Sequence, residues 1–426
     1  MRIAIIGSGI AGLTCAHRLH RTHEITLFEA NDYVGGHTAT IDVEHEGRTW
    51  AIDTGFIVFN DWTYPRFIAL LNELGVESQD SNMSFAVSCA RSGIEYNGTS
   101  LNTLFAQRRN LVRPSFLRML SDIVRFNARC RELLQVEQCT ETLGTYLERS
   151  RYSRAFIDYY LIPMGRAIWS ASASAMLSFP ARFFVEFFDR HGFLNIDDRP
   201  VWRAVRGGSR EYVRKLIAPL RHRVRLSTPV SGVHRDVGGV AVRTRRGDVE
   251  RFDRVIFACH SDQALALLDR PTPIEQRVLA AFPYQANAVT LHTDASVLPR
   301  TPLARAAWNY HVPAEDRDAV ALTYDMNVLQ SLDARERFLV TLNRRDAIAS
   351  NRVLGEYVYH HPVYTPDAVR AQKLHAKVSG LNSTYYCGAY WGYGFHEDGV
   401  VSAERVVAQV ACDFAGARNE LSGVGR

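Results

Sequence analysis

The stretch that decides the fold is residues 1–40, which read MRIAIIGSGIAGLTCAHRLHRTHEITLFEANDYVGGHTAT. The apolar, β-branched run over residues 2–6 is typical of a strand that is buried on both faces. Residues 10–21 have helical character, and residues 23–29 are typical of a second strand. The stretch therefore predicts a β-strand, an α-helix and a second β-strand at the start of an α/β domain.

The turn between the first strand and the helix has the spacing G-x-G-x-x-G. Gly7 allows the tight turn, Gly9 lets the backbone approach a pyrophosphate, and Gly12 lets the helix pack closely on the strand. The helix N-terminus offers unpaired N–H groups to phosphates. Glu29, about 20 residues further on, is placed to accept hydrogen bonds from ribose hydroxyls. A glycine-rich turn alone would mean little, but with both strands, the helix and the acid it predicts a dinucleotide site. The other contacts predicted here are Ser8, Ile10, Ala11 and Ala30.

Length, charge and cysteine content limit the classes of protein to which the chain can belong. A chain of 426 residues predicts more than one lobe, and a net charge of +5, spread along the chain, does not indicate nucleic-acid binding. Without a C-x-x-C pair, the odd number of cysteines predicts free thiols in a reducing compartment and no zinc or other metal site. The start lacks a secretory pattern, and no window reaches the ~18 apolar residues that span a bilayer, so a cytoplasmic location is expected. The cysteines are Cys15, Cys89, Cys130, Cys139, Cys259, Cys387 and Cys412.

The segment after the second strand indicates which dinucleotide is bound, namely FAD. EANDYVGGHTAT (residues 29–40) resembles the continuation of this fingerprint in the flavin-containing amine oxidase superfamily, which includes phytoene desaturases and protoporphyrinogen oxidases. The resemblance implies a second phosphate-contacting turn at Gly35 and Gly36 that continues to Thr38. An arginine usually follows the two glycines in that superfamily, and here His37 stands instead. A neutral imidazole offers a phosphate less charge than a guanidinium does.

Later segments resemble the same superfamily in the same order. DTGFIVFN (residues 53–60) is similar to the segment beside the isoalloxazine ring, which implies contacts from Gly55 and Phe56. A β-meander is predicted over residues 224–258, and Val230 matches a valine whose backbone lies against the adenine. RGGSREYVRKL (residues 206–216) is similar to the segment where the chain returns to the cofactor lobe.

YYCGAYWGYGFHEDGVVSAERVVAQV (residues 385–410) resembles the segment that caps the flavin with a helix N-terminus. It implies contacts from Gly388, Asp398, Gly399 and Val400. Nothing resembles the cysteine that tethers flavin in some amine oxidases, so FAD is expected to be non-covalent.

The resemblance implies an α/β fold of the amine oxidase and phytoene desaturase type. A Rossmann-like FAD-binding lobe is expected to be interleaved with an α+β substrate lobe that has a helical part and an antiparallel sheet. The FAD-binding lobe is assigned residues 1–75, 206–275 and 376–426, and the substrate lobe residues 76–205 and 276–375. Strands of the antiparallel sheet are predicted at residues 288–293, 319–324, 338–342 and 356–359.

Four motifs resemble a narrower group, a bacterial branch of FAD-binding proteins similar to the N-terminal flavoprotein region of plant cyclopropane fatty acid synthases. They are WNYH (308–311), LTYDMNVLQ (322–330), YHHPVYTP (359–366) and GAYWGYGFHEDG (388–399). Members of this branch are commonly encoded near cyclopropane-synthase-like methyltransferases, and one lineage is associated with introducing a double bond into methylated acyl chains. The resemblance implies oxidation of a methylated or cyclopropane-related phospholipid acyl chain, and such a methyltransferase as a partner.

Candidate catalytic residues lie in these motifs. His396 and Glu397 come first, because the resemblance implies that their segment runs past the flavin ring. His311, His361 and Tyr310 follow, and each residue could instead have a purely structural role. The phenylalanines of ARFFVEFFDRHGFL (residues 181–194) are predicted either to line an acyl tunnel or to belong to the core.

Other interpretations stay open. RRNLVRPSFLRMLSDIVRFNARCREL (residues 108–133) is basic and amphipathic, so it predicts either a solvated helix face or contact with anionic lipid at the inner membrane face. A flavin oxidase of a small amine is an alternative, with an aromatic cage from Trp308, Trp391, Tyr390 and Tyr393. A non-catalytic FAD-binding partner of a lipid methyltransferase is a third possibility.

Overall fold

The computed structural model describes residues 1–136, 140–315 and 319–423. Cys139, one of the cysteines predicted to be a free thiol, lies outside these residues. The strands are β1 (Arg2–Ile6), β2 (Glu24–Phe28), β3 (Thr40–His45), β4 (Arg48–Asp53), β5 (Phe59–Asn60), β6 (Ser78–Asp80), β7 (Phe85–Cys89), β8 (Glu95–Asn97), β9 (Trp202–Val205), β10 (Val224–Arg225), β11 (Val230–Asp236), β12 (Gly239–Thr244), β13 (Val249–Phe252), β14 (Arg254–Phe257), β15 (Tyr284–His292), β16 (Trp308–Val312), β17 (Leu322–Asp325), β18 (Leu339–Leu342), β19 (Val353–Pro362) and β20 (Thr384–Tyr386).

The α-helices of the described residues connect and cover these strands. They are α1 (Ile10–Leu19), α2 (Pro65–Glu73), α3 (Leu101–Leu104), α4 (Pro114–Arg129), α5 (Leu143–Arg149), α6 (Arg154–Phe156), α7 (Ile162–Trp169), α8 (Ala173–Ser178), α9 (Ala181–Arg190), α10 (Arg210–Ile217), α11 (Ser261–Leu267), α12 (Pro273–Leu279), α13 (Met326–Leu329), α14 (Pro366–Gln372) and α15 (His396–Gly423). Within the described ranges, no helix is both long enough and apolar enough to pass through a bilayer.

A parallel sheet carries the start of the chain. Its strand order is β10-β2-β1-β14-β20, and each neighbouring pair is parallel. The apolar side chains of β1 are buried because helices cover both faces of such a sheet. The predicted unit β1, α1 and β2 is confirmed.

The predicted meander over residues 224–258 is wrong at its two ends. Only β11, β12 and β13 form it, whereas β10 and β14 join the parallel sheet. The run Val255, Ile256 and Phe257 is fully buried. A continuous apolar run suits a strand covered on both faces better than a strand of an exposed meander, where apolar and polar residues alternate.

A larger mixed sheet has the order β19-β15-β18-β17-β16-β7-β8, antiparallel except for the pair β16 and β7. Three of the predicted strands, at 288–293, 338–342 and 356–359, correspond to β15, β18 and β19. The prediction at 319–324 begins too early, since β17 starts at Leu322. The helices α4 to α9 pack with this sheet around one aromatic-rich core. The strands of the parallel sheet come from residues 2–28, 224–257 and 384–386, and the lobe boundaries stay a prediction.

Candidate cofactor and substrate site

A continuous cavity of about 750 Å³ runs from the glycine turn after β1 to aromatic side chains around α9. This volume lies within the range of small-molecule and cofactor sites. Many of the predicted cofactor-binding residues line it: Gly7, Ser8, Gly9, Ile10, Ala11, Glu29, Ala30, Gly35, Gly36, His37, Gly55, Phe56, Val230 and Gly388.

The first glycine turn has one residue that faces the cavity and one that packs beneath it. A Cβ on Gly9 would meet no atom within 4 Å, so this position opens onto the cavity. A Cβ on Gly12 would stand 2.0 Å from the carbonyl oxygen of Gly7, and Gly12 does not line the cavity. Gly12 therefore allows α1 to lie against the turn, as its predicted packing role requires.

The second glycine turn lies directly on the first. The backbone N–H of Gly35 donates to the carbonyl oxygen of Ser8 at 3.0 Å. Gly36 has a φ of +60°, and a Cβ there would approach Cα of Gly9 to 3.2 Å. The two turns thus form one backbone cradle, with His37 at its edge.

Glu29 anchors the first turn and keeps acceptor capacity for a ligand. Its Oε2 accepts from the backbone N–H of Ser8 at 3.0 Å and from the Ser8 hydroxyl at 2.5 Å, and its Oε1 accepts from the N–H of Asn31 at 2.9 Å. A carboxylate has about four acceptor positions. The remaining position lies on a side chain that lines the cavity near Val230, as a contact to a ribose hydroxyl requires.

His37 is buried and has one unsatisfied ring nitrogen. Its Nε2 has no hydrogen-bond partner, so the backbone hydrogen bond with His360 that acts to raise the pKa of His37 is assigned to the other ring nitrogen. Burial, and after it the neighbouring His260 and His360, lowers the pKa of His37 to about 4. The ring is therefore neutral at pH 7 and leaves an open hydrogen-bonding position beside the glycine cradle.

Three more histidines, His260, His360 and His361, line the cavity next to His37. The ring centroids of His361 and His260 lie 5.5 Å and 6.1 Å from that of His37. Burial comes first and neighbouring histidines second in lowering the pKa of His260 to about 4 and that of His361 to about 3. His361 was a sequence candidate. His260 and His360 were missed, although HH in the quoted YHHP motif and the histidine just after β14 were visible signals.

His396 lines the cavity, but its side chain holds the structure together there. Its Nε2 lies 2.8 Å from the hydroxyl of Tyr212 and 3.1 Å from that of Thr38, and its ring stacks on Phe56 at 3.5 Å. Burial, followed by the influence of His37, holds the pKa of His396 well below its ordinary value. Thr38 does not line the cavity and instead ties α10 to the start of α15 through Tyr212 and His396.

The other predicted residues of α15 point away from the cavity. The carboxylate of Glu397 accepts from the backbone N–H groups of Arg66 at 3.0 Å and Phe67 at 2.8 Å, so it caps α2. Asp398 accepts from the N–H of Phe395 at 2.9 Å, and burial raises its pKa to about 7. A Cβ on Gly399 would lie 2.7 Å from Cγ2 of Ile10, which makes this a helix-packing position, and Val400 is in the core.

The structure does not bring Tyr310 or His311 to the cavity either. Tyr310 is buried in the core of the mixed sheet, and Nδ1 of His311 lies 3.2 Å from the Ser88 hydroxyl. Trp308 of the same strand and Tyr324 of β17 line the cavity instead. Alternation along β16 places His311 on the face opposite Trp308.

The part of the cavity away from the glycine turns, called the aromatic arm below, is lined mainly by aromatic side chains. From the 181–194 stretch, Phe187, His191 and Phe193 line it, whereas Phe183, Phe184, Phe188 and Leu194 belong to the core. The stretch therefore contributes to both the cavity wall and the core, and its role as the lining of an acyl tunnel stays a prediction. The other side chains of this arm are Met83, Ile168, Trp169, Trp202, Trp308, Tyr324, Tyr364, Tyr393 and Phe395.

His191 is the histidine of this aromatic arm. Its Nδ1 lies 2.9 Å from the carbonyl oxygen of Phe187, and its ring stacks on Phe187 at 3.8 Å. Because a carbonyl only accepts, Nδ1 carries the proton and Nε2 keeps its lone pair. Burial lowers the pKa of His191 to about 4, so the ring is neutral at pH 7.

Residues 10–313, more than half of the chain, match the family model of flavin containing amine oxidoreductases. The chain belongs to this family. It is accordingly an FAD-dependent oxidoreductase, as the sequence predicted, and the glycine cradle, Glu29 and the unsatisfied Nε2 of His37 fit that cofactor. Cys387 does not line the cavity, since its Sγ lies 3.8 Å from Sγ of Cys15 in the core.

Solved structures share the α/β fold over nearly the whole chain. Cyclohexylamine oxidase from Brevibacterium oxydans IH-35A has a TM-score of 0.71 at 15% identity, covering 97% of this chain and 99% of that one. Putrescine oxidase bound to putrescine has a TM-score of 0.67 at 16% identity, with the same coverage. A CLA-producing fatty acid isomerase from P. acnes has a TM-score of 0.69 at 15% identity, covering 96% of this chain and 98% of that one. No curated protein sequence matches significantly.

Proposed function

We propose that this oxidoreductase is an oxidase or desaturase of a lipid, namely a methylated or cyclopropane-related phospholipid acyl chain. The observation that carries the proposal is the composition of the aromatic arm. Glu29 is the one carboxylate among the described residues that line the cavity, and it sits at the cofactor end. Moving an apolar acyl chain from water into such an arm is favourable, whereas a charged substrate would lose the free energy of its hydration.

The arm suits the removal of two hydrogens from a hydrocarbon. FAD, which the glycine cradle and Glu29 would hold, would supply the acceptor for a hydride from one C–H bond. For a double bond to form, the neighbouring carbon must lose a proton to a base, while the electron pair of that C–H bond becomes the new π bond. Nε2 of His191 is an unprotonated acceptor within the arm. The aromatic walls exclude water from the reacting carbons.

The test is anaerobic incubation of the FAD-loaded protein with bacterial phospholipids. Methylated or cyclopropane-containing phospholipids should bleach the flavin and lose two hydrogens in one acyl class, measured by mass spectrometry. Phospholipids with unbranched saturated chains serve as the control. Failure of every methylated lipid to reduce the flavin would sink the proposal.

Oxidation of a small amine is the second candidate. It is supported by the aromatic side chains Trp308, Tyr390 and Tyr393 in the cavity, since such rings can surround a cation. Two of the relatives in fold are amine oxidases. Trp391, the fourth residue of the cage considered from sequence, packs on His375 in the core and does not line the cavity. Rapid release of hydrogen peroxide from a panel of amines would favour this candidate.

A basic, partly apolar surface supports access to a membrane-held lipid. Leu101, Leu111, Val112, Leu117 and Val124 are exposed along α3, the following turn and α4. Residues 98–131 contain a single acid, Asp122, which is buried against Arg118 and Arg125. Arg108, Arg109 and Arg113 donate to carbonyl or amide oxygens rather than to carboxylates, and such cations beside exposed apolar side chains match an anionic lipid surface. The methyltransferase partner stays a prediction.

A further inference from the structure

His37 stands where the cofactor's diphosphate is expected. It follows Gly36, whose backbone lies against Gly9, and the glycine cradle presents backbone to the cavity at this point. In the dinucleotide-binding fold the first glycine turn, here Gly7–Gly12, and the N-terminus of the helix after β1 hold the diphosphate, and the second turn, which leads into His37, packs directly on the first. The unsatisfied Nε2 of a cavity-lining side chain is thus the side-chain atom of His37 available to a phosphate oxygen.

The ring as it stands cannot donate to a phosphate. The proton of the neutral imidazole is held at the nitrogen that hydrogen-bonds with the His360 backbone, so Nε2 carries a lone pair. Phosphate oxygens also carry lone pairs, and two acceptors repel. Nε2 becomes a donor only if the ring takes up a proton, and the resulting imidazolium then gains a charge-assisted hydrogen bond.

We propose that FAD binding is coupled to the uptake of a proton by His37, so that the affinity for FAD depends on pH, whichever substrate the enzyme oxidises. An arginine at this position would be charged at every relevant pH and would make binding independent of pH. Because His37 stands where the superfamily usually has an arginine, a permanently charged contact to the phosphate is replaced by one whose charge depends on pH.

The groups around His37 set the direction of the effect. His260 at the start of α11, Tyr359, His360 and His361 on β19, and His396 at the start of α15 all face it. None of them is anionic at pH 7, so none of these neighbours stabilises an imidazolium, and burial holds the pKa of His37 at about 4 in the protein without FAD. Two phosphate charges raise this pKa in the complex. Between the two values, the affinity for FAD rises as the pH falls, by up to about tenfold per pH unit.

The experiment measures the dissociation constant of FAD as a function of pH. Holoprotein is diluted at pH values between about 6 and about 8.5, where histidines titrate, and released FAD is quantified by its fluorescence. Wild type should bind more weakly as the pH rises. His37→Arg should bind tightly at every pH, and His37→Gln, which donates without a charge, should bind independently of pH.

A second measurement reports the proton itself. Dilution of holoprotein into unbuffered solution with a pH indicator should release close to one proton per FAD for wild type and none for His37→Arg. His361→Gln is the matched neighbour and should keep the pH dependence. A wild-type dissociation constant that does not change with pH would overturn the coupling. Loss of the dependence in His361→Gln but not in His37→Gln would overturn the assignment to His37.

Discussion

At the scale of single residues, two glycines of one motif do different physical work. Gly9 opens onto the cavity with an ordinary φ of −68°, so an alanine there would fit the backbone and intrude only on the ligand. Gly12 has the carbonyl oxygen of Gly7 where its Cβ would be. The spacing of the motif can be read from the sequence. Which glycine faces the ligand and which allows close packing becomes visible only from how α1 packs on the turn.

Gly9→Ala and Gly12→Ala should therefore fail in different ways. Gly12→Ala should lower the free energy of unfolding by about 3 kcal/mol, since the methyl group meets backbone that cannot move aside. Gly9→Ala should unfold at the wild-type urea concentration but raise the dissociation constant of FAD at least about tenfold, a cost of about 1.4 kcal/mol. Urea unfolding and FAD fluorescence measure the two effects, and equal destabilisation by both variants would contradict this division.

His191→Asn tests the proposed base at the same scale. The asparagine amide can still donate to the Phe187 carbonyl, but the lone pair of Nε2 is lost. The rate of flavin reduction by substrate should fall about 10²- to 10⁴-fold with FAD binding unchanged. Because the pKa of His191 is about 4, the wild-type rate should be flat between about pH 6 and about pH 8. An unchanged rate in the variant would remove His191 from the chemistry.

At the scale of elements, the start of α15 shows what sequence cannot resolve. His396, Glu397 and Asp398 are consecutive, and all three were expected beside the flavin. Successive helical residues point in directions about 100° apart, so His396 lines the cavity, Glu397 contacts the N-terminus of α2 and Asp398 contacts the loop at Phe395. The existence of the helix is predictable, but its rotation is set by α1, which packs against Gly399.

Asp398 should make the stability of this helix start depend on pH. Its folded pKa is about 7, against an ordinary value of 3.8, so the folded protein holds a proton that the unfolded chain has lost. The contribution of Asp398 to the free energy of unfolding should thus be greatest below about pH 4 and should decline as the pH rises to about 7. Urea unfolding of Asp398→Asn should lose less stability between about pH 5 and about pH 7.5 than wild type does. An identical loss in both proteins would contradict the assignment.

For the molecule as a whole, the order of the segments could be predicted from the sequence, but the contacts between distant segments could not. Each local signal, from the glycine turn to the antiparallel strands, follows from periodicity or from resemblance. The histidine cluster does not, because its members come from a turn at residue 37, the start of α11 and the far end of β19. Only the pairing of β19 with β15 carries His360 and His361 to the glycine cradle.

The basic surface gives a prediction at this scale. Val112 is 82% exposed, so Val112→Asp should not disturb the fold, but it places a negative charge among the arginines. Co-sedimentation with vesicles containing phosphatidylglycerol should weaken several-fold, while neutral vesicles should bind neither protein. Val237→Asp is the matched control, a fully exposed valine at the turn between β11 and β12. Equal loss in both variants would argue against a specific membrane-facing surface.

The parallel sheet has a consequence for how the molecule is made. β1 pairs with β14, and β14 pairs with β20, so strands from the beginning, middle and end of the chain lie side by side. The cavity wall also includes Gly388 and His396 from the last segment. Such distant pairings form slowly, because much of the chain must be in place first. During synthesis, β1, α1 and β2 emerge from the ribosome long before β14 and β20, and we expect the nascent chain to capture FAD only after its last strand and helix have been translated.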